Sequence, residues 1–288
     1  MEVQLYVGFF LYKGSAMKYE VLTDGIFIPN TPDFDIKHTL ECGQVFRYKV
    51  VDFGYIIHSK DQVAYIYCQK DGVKILCKNQ KYFINYFDLD TDYGIIKSEL
   101  DKQNLSDAIN FGAGIHILKQ DPIETIISFI ISANNNIPRI KKTIEKLCEG
   151  FGTNCGDYYA FPTLQQLNNV SYSFLKEIGC GYRAEYLIDT INKLASFDCN
   201  DINTMNTADA RKKLIELKGV GRKVADCILL FGFYKTDVFP TDTWITKVYA
   251  DEFGDNNLSP IKISEYYSSR FGKLSGFAQQ YMFYAKRK

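Results

Sequence analysis

Leu217-Lys-Gly-Val-Gly-Arg-Lys-Val-Ala-Asp-Cys227 is followed by an apolar run that ends in Val238-Phe-Pro-Thr-Asp242. Gly219, Val220 and Gly221 form a tight turn between two helical patterns, over 207–217 and 222–233. Leu217 before the turn, and Val224 and Ala225 after it, supply the apolar packing between the two helices. Such a turn aims backbone N–H groups outward at a helix start, where the positive end of the helix dipole favours a phosphate oxygen. Lys223 falls on the first turn of the second helix, and Asp242 follows Pro240 at the start of the next. A lysine at one helix start and a carboxylate at the next can share a cleft.

The chain has 288 residues, enough for one large domain or two or three small ones. Its 46% hydrophobic and 15% aromatic content secures a core. No low-complexity tract or fixed-period repeat interrupts it. Lys+Arg and Asp+Glu both number 34, so the formal net charge is zero. The protein is therefore not coated in basic residues, and any contact with nucleic acid must be local to one face. The eight cysteines (Cys42, Cys68, Cys77, Cys148, Cys155, Cys180, Cys199 and Cys227) include no Cys-x-x-Cys pair. That spacing excludes a zinc ribbon or a closely spaced iron–sulfur loop. Scattered free thiols point to a reducing compartment, the cytoplasm or a nucleus, rather than to secretion.

The opening Glu2-Val-Gln-Leu-Tyr-Val-Gly-Phe-Phe-Leu-Tyr12 lacks the basic region of a signal peptide and reads as a first β-strand, with Met17 an alternative start. Nothing approaches the roughly eighteen apolar residues of a membrane span. Tyr55-Ile-Ile-His58, Val63-Ala-Tyr-Ile-Tyr67 and Val73-Lys-Ile-Leu76 are short β-branched and aromatic runs, punctuated by Gly54, Lys60-Asp61 and Asp71-Gly72. They predict a meandering antiparallel sheet. Leu40-Glu-Cys-Gly-Gln-Val-Phe-Arg-Tyr48 lies inside this region, and Gly43 suggests a bulge or a close backbone approach.

From Asp92 the reading turns helical. Short helices are expected over 95–100 and 105–109. Asp121-Pro-Ile-Glu124 combines a cap, a first-position proline and a third-position glutamate. The apolar run that follows it, over 125–133, predicts a helix buried in the middle of the molecule. An amphipathic helix over 140–151 and further helices over 163–167, 174–178, 182–197, 242–253, 261–271 and 277–287 complete the pattern. The expected fold class is α+β. An antiparallel β domain with short helices (1–115) is followed by a helical part (116–288) that contains the hairpin (207–233), and the last helix returns to the first region.

Singly, Lys223 is most simply a solvated lysine, and Asp242 a helix cap. At this spacing the pair favours nucleophilic chemistry. An attacking amine must be neutral, which desolvation in an apolar cleft promotes, and a carboxylate stabilises positive charge developing on a sugar. Cys227, one turn beyond Lys223, reads as a small buried hydrophobe or as a thiolate paired with the Lys223 amine.

The stretch Leu-x-Gly-Val-Gly-x-Lys-Val-Ala-Asp-Cys with Pro-x-Asp resembles the helix-hairpin-helix DNA glycosylases, and more narrowly the 8-oxoguanine DNA glycosylases. The resemblance spans roughly 40–283. It implies that Lys223 attacks the sugar C1′, expels the damaged base and leaves a Schiff base, with Asp242 assisting and β-elimination nicking the strand. Hydrolytic relatives lack the lysine, so Lys223 implies a bifunctional glycosylase and lyase.

Three further motifs carry the resemblance. In Gln120-Asp-Pro-Ile-Glu-x-x-x-Ser-Phe-Ile with Asn-Asn-Asn-Ile-x-Arg139, the resemblance implies that Asn134 and Arg139 hold the cytosine left unpaired by the flipped lesion. In Gly179-Cys-Gly-Tyr-Arg-Ala-Glu-Tyr186, it implies Tyr182 as the wedge and Arg183 as the second cytosine contact. On the last helix Phe283 can stack on a base and Gln279 can bond its Watson–Crick edge. Gly43 matches the glycine of Gly-Gln-x-Phe-Arg, whose carbonyl accepts from the N7–H that 8-oxoguanine has and guanine lacks. Cys227 completes the lesion pocket, and Gly219, Val220 and Gly221 hold phosphate. The family also binds a monovalent or calcium ion through hairpin carbonyls, here those of Ile215, Leu217 and Val220, and needs no other cofactor. The usual Val-His after the catalytic aspartate is Thr243-Trp244 here, so Trp244 takes the place of a residue near the lesion phosphate. Val45 and Tyr48 replace the usual Ser and Trp near Gly43.

The expected partner is double-stranded DNA with 8-oxoguanine opposite cytosine, met by a monomer with no membrane involved. Two alternatives remain on the residues alone: a helix-hairpin-helix glycosylase for another damaged base, and a non-catalytic DNA-binding module.

Overall fold

The computed structural model describes residues 18–254 and 258–287; the strand expected over 2–12 and the alternative start at Met17 lie outside the described residues. Strands β1 (Glu20–Val21), β2 (Gly25–Pro29), β3 (Tyr48–Val51), β4 (Gly54–Ser59), β5 (Gln62–Cys68) and β6 (Gly72–Cys77) form one antiparallel sheet, ordered β1-β2-β6-β5-β4-β3. Ile26 and Ile66 both register with Ile75, and Ile57 with Ala64. All five are buried, so one face of the sheet is a continuous apolar layer. Helix α2 (Gln80–Tyr86) and the residues after it cover that layer with Phe83, Tyr86, Phe87 and Leu89. The hairpin at Asp71-Gly72 forms as expected, closed by Gln69 N–H donating to the Gly72 carbonyl at 2.8 Å.

The stretch 40–48 lies inside the β region as expected, but it is mostly not strand: helix α1 (Ile36–Glu41) is inserted between β2 and β3, and of these residues only Tyr48 belongs to the sheet. Asp35 caps α1, accepting from His38 N–H at 2.8 Å. Gly43 stands just beyond its end with φ +86°; of the two readings offered for it, the bulge is not formed and the close approach is, with Phe283 Cε1 3.3 Å from where a β-carbon would stand. The expected helices omit α1, α2 and α10 (Cys199–Thr204). The first two fall within a stretch read as strands, and none of the three has enough turns for a 3.6-residue period to overrule its context.

The helical part comprises α3 (Tyr93–Asp101), α4 (Ser106–Phe111), α5 (Pro122–Ser132), α6 (Ile137–Phe151), α7 (Leu164–Leu167), α8 (Tyr172–Glu177), α9 (Arg183–Leu194), α11 (Thr207–Ile215), α12 (Arg222–Phe233), α13 (Thr243–Phe253), α14 (Pro260–Phe271) and α15 (Ser275–Arg287). The Asp121 cap forms as the sequence dictates, accepting from Glu124 N–H at 3.0 Å. Every residue of α5 from Glu124 to Ile131 is buried, and the helix packs against α6, α9 and α12. Among the described residues, no helix is long and apolar enough to cross a membrane.

Asp88 ties the two parts together. Its buried carboxylate accepts from Thr91 Oγ1 (2.7 Å), Tyr93 OH (2.9 Å) and Tyr234 OH, and pairs with Lys119 Nζ at 2.6 Å. Tyr234 ends α12 in a left-handed conformation, so the node joins the sheet side directly to the hairpin. Removing the carboxylate orphans several buried donors, which costs about 3 kcal/mol. Asp88→Ala is therefore expected to lower the unfolding free energy by about that amount in urea titration. An unchanged midpoint would contradict the role given to the node.

Candidate active site

The hairpin is built by glycine geometry. Gly219 has φ +85°, and a β-carbon there would lie 2.6 Å from the Tyr186 ring, so only glycine fits the turn. Val220 N–H donates to the Leu217 carbonyl at 3.1 Å and closes it. Gly221 precedes α12, and no side chain caps that helix. Its first N–H groups are left for an external acceptor. Ile215, Leu217, Gly219, Val220 and Gly221 line an open hollow of about 480 Å³. Among the described residues, no group of three or more His, Cys, Asp or Glu is placed to hold a metal ion. The Glu216 and Asp189 carboxylates line the same hollow beside the hairpin carbonyls.

Lys223 stands on the first turn of α12, with Nζ 5.7 Å from the centre of the Phe129 ring of α5. It is exposed, so the water-poor surroundings expected of it are not a property of the free protein. Cys227 is 4% exposed, one turn on, within electrostatic reach of both Lys223 and Asp242. Burial pushes its thiol up to about 11, against the opposing pull of Lys223. The expected thiolate–ammonium dipole is therefore corrected to a neutral thiol beside the amine. Asp242 caps α13, its Oδ1 accepting from Trp244 and Ile245 N–H, both at 3.0 Å. Trp244 is half-buried, with Lys247 Nζ 4.6 Å from its ring centre.

The two ends of the chain meet at Gly43. A β-carbon on Gly43 would lie 3.3 Å from Phe283 Cε1 of α15, so the glycine and the ring face each other closely. Gln44 fixes this loop. Its amide donates to the Thr39 and His116 carbonyls (2.8 and 2.7 Å), its Oε1 accepts from Leu118 N–H (2.9 Å), and Gln120 donates to its carbonyl (2.8 Å). Arg47, fully buried, donates to Glu145 (3.1 Å) and to the Tyr159 carbonyl (2.7 Å). Gln279 is 4% exposed and accepts from the Gln280 amide at 2.7 Å, so in the free protein its amide is turned to a neighbour.

A second cluster gathers at the end of α5. Arg183 is buried and donates to the carbonyls of Ala133 and Asn134, both at 2.6 Å, and of Cys180 at 3.3 Å. Its guanidinium, expected to contact the unpaired cytosine, is engaged here with backbone carbonyls. Tyr182 is 50% exposed, stacked 4.6 Å from the Arg183 guanidinium. Asn134 and Arg139 are both exposed, and Asn134 holds a left-handed conformation, φ +50°.

Gln44, Phe129, Lys247 and Arg287 belong to these sites and were not singled out in the sequence. Gln44 had a signal, its place in Gly-Gln-x-Phe-Arg. Phe129 is indistinguishable there from the rest of an apolar helix, and the other two look like surface cations. The thiol state of Cys227 is checkable. At pH 7.5 a maleimide should label the exposed Cys68 and Cys155 well before Cys227. Cys227 modified as fast as those two would contradict its protonated, buried state.

Residues 26–126 match the 8-oxoguanine DNA glycosylase N-terminal domain, and residues 127–273 match the HhH-GPD superfamily of base excision DNA repair proteins. A crystal structure of the Clostridium acetobutylicum 8-oxoguanine glycosylase/lyase, in complex with double-stranded DNA containing cytosine opposite 8-oxoguanine, is 38% identical; it superposes with a TM-score of 0.89 over 95% of this chain and 99% of that one. A probable N-glycosylase/DNA lyase of Methanothermobacter thermautotrophicus is 33% identical over 222 residues, 68% of this chain and 71% of that protein. The N-glycosylase/DNA lyase of Saccharomyces cerevisiae is 37% identical over 153 residues, which span 47% of this chain and 41% of the yeast protein. The chain belongs to the helix-hairpin-helix superfamily of base excision DNA repair proteins, with the N-terminal domain of the 8-oxoguanine DNA glycosylases.

Proposed function

We infer that the protein is a bifunctional 8-oxoguanine DNA glycosylase and abasic-site lyase that acts on double-stranded DNA. The observation that carries this reading is Lys223 on the first turn of α12, with Cys227 one turn on and the α13 cap Asp242 within electrostatic reach of the Cys227 thiol. The Lys223 amine forms a bond to C1′ as the glycosidic bond breaks, and its electron pair leaves with the base. Asp242 opposes the positive charge that builds on the sugar. Loss of the amine proton frees the nitrogen lone pair to open the sugar ring; the C1′–O4′ bond breaks, O4′ takes a proton and C1′ is left as a Schiff base. Loss of a C2′ proton then expels the 3′ phosphate. Because Lys223 is exposed in the free protein, the bound DNA and lesion are what exclude water from it.

Recognition is divided among the other clusters. The Gly43 carbonyl reads N7–H, Phe283 and Cys227 enclose the base, and Gln279 reads its Watson–Crick edge once released from Gln280. Tyr182 fills the vacated stack, while Asn134 and Arg139 hold the unpaired cytosine. Arg183 joins them only after giving up the Ala133 and Asn134 carbonyls. Hairpin N–H groups and the indole N–H of Trp244 take phosphate. The carbonyls of Ile215, Leu217 and Val220 would hold a monovalent or calcium ion there. Hard oxygen donors suit it, and the Leu217 carbonyl keeps a second lone pair beyond its bond to Val220.

A strand-nicking assay tests the reading. The protein is expected to nick a duplex with 8-oxoguanine opposite cytosine, and to leave guanine or an oxidised pyrimidine in place. Binding without nicking would favour a non-catalytic module. Nicking only at another lesion would move the substrate, and equal cleavage opposite all four bases would refute the roles given to Asn134, Arg139 and Arg183. Binding should weaken steeply with salt, since phosphate contacts release counterions.

A further inference from the structure

We propose that Arg287, near the end of α15, is a positioning residue that sets the gap between Gly43 and Phe283 and thereby sharpens selection of the oxidised base. The proposal rests on the lesion-reading role given above to those two residues.

Three contacts place it. Its guanidinium lies 5.6 Å from the centre of the Phe283 ring. Its Nη2 donates to the Glu41 carbonyl, in the last turn of α1, at 3.4 Å. Its Nη1 is 2.8 Å from where a β-carbon on Gly43 would stand. One planar side chain thus touches the ring that stacks, the loop that reads, and the helix end from which that loop departs. A cation suits this place, because the last carbonyls of a helix are short of donors. A guanidinium suits it better than an ammonium, since its flat fork can lie on an aromatic ring and donate to a carbonyl at once.

The consequence for selection is geometric. Gly43 offers a carbonyl to the base edge. 8-Oxoguanine meets it with a donor, N7–H, whereas guanine meets it with a lone pair. The lone pair is rejected only if no water fits between the two acceptors. A hydrogen bond also weakens steeply once its distance and angle drift. Without Arg287, α15 and the Gly43 loop lose their shared strut. A widened gap weakens the bond to the lesion and admits a water that satisfies guanine.

The experiment compares Arg287→Met, Arg287→Lys and Phe283→Ala with wild type on three duplexes, which carry 8-oxoguanine, guanine or a preformed abasic site opposite cytosine. The abasic duplex needs the Lys223 chemistry but presents no base to the reading gap. It therefore controls for folding and DNA binding. Arg287→Met is expected to lower excision of 8-oxoguanine about tenfold relative to abasic-site nicking, and to narrow the 8-oxoguanine-to-guanine ratio by a similar factor. Arg287→Lys should recover part of both. If Arg287→Met leaves both ratios at wild-type values while Phe283→Ala lowers them, the inference about Arg287 fails and the pocket stands. If Phe283→Ala also leaves them unchanged, the lesion pocket itself is misplaced. Equal loss on all three duplexes would reduce Arg287 to a residue of general stability and overturn the proposal.

Discussion

A buried carboxylate with one missing partner is among the costlier faults a fold can carry, and Asp88 avoids it only if separate segments meet there. Its partners are Thr91, Tyr93, Lys119 and Tyr234, drawn from the start of α3, the approach to α5 and the end of α12. The sheet side and the hairpin are thereby held in one frame. Tyr93 stacks on His116 at 3.7 Å between ring centres. His116 in turn receives the Gln44 amide that fixes the Gly43 loop. A chain of satisfied polar groups thus runs from the fold's central node to the residue proposed to read the lesion.

This frame separates two tasks. The proposed chemistry sits on contiguous sequence: Lys223 and Cys227 are one turn apart on α12, and Asp242 opens the next helix. The proposed selectivity sits on tertiary contact, because Gly43 and Phe283 come from nearly opposite ends of the chain and meet only if α15 closes over α1. Tyr284 against His38 (5.2 Å between centres), together with Arg287 on the Glu41 carbonyl, makes that closure. The free protein also holds several recognition groups in reserve. Arg183 is engaged with backbone carbonyls and Gln279 with Gln280. In the proposed roles these bonds are exchanged for bonds to DNA, which draws on part of the binding energy.

What could be read from the sequence follows the range of the physics. Caps and tight turns are local, so the α5 start at Asp121 and the hairpin at Gly219 were legible to the residue. The sheet was legible through its alternation and turn residues. The helix α1 was not, because its six residues stand between strands and show no period strong enough to overrule that context. The side of the pocket formed by Arg287 was hidden for a different reason. A terminal arginine has no sequence feature that distinguishes a strut from a solvated cation, and only the packing of α15 decides it. Lys223 and Cys227 show the remaining kind of miss. Their proximity follows from helical spacing, but exposure of the amine and burial of the thiol depend on which face of α12 meets α5.

The central claim is that Lys223 forms the covalent bond. Borohydride reduction during turnover of a duplex with 8-oxoguanine opposite cytosine, followed by denaturing electrophoresis, tests it most directly. A cross-linked protein–DNA band is predicted for the wild type and none for Lys223→Gln, with the variant still binding the duplex. A band of undiminished strength from Lys223→Gln would mean that another amine attacks, and would contradict the account.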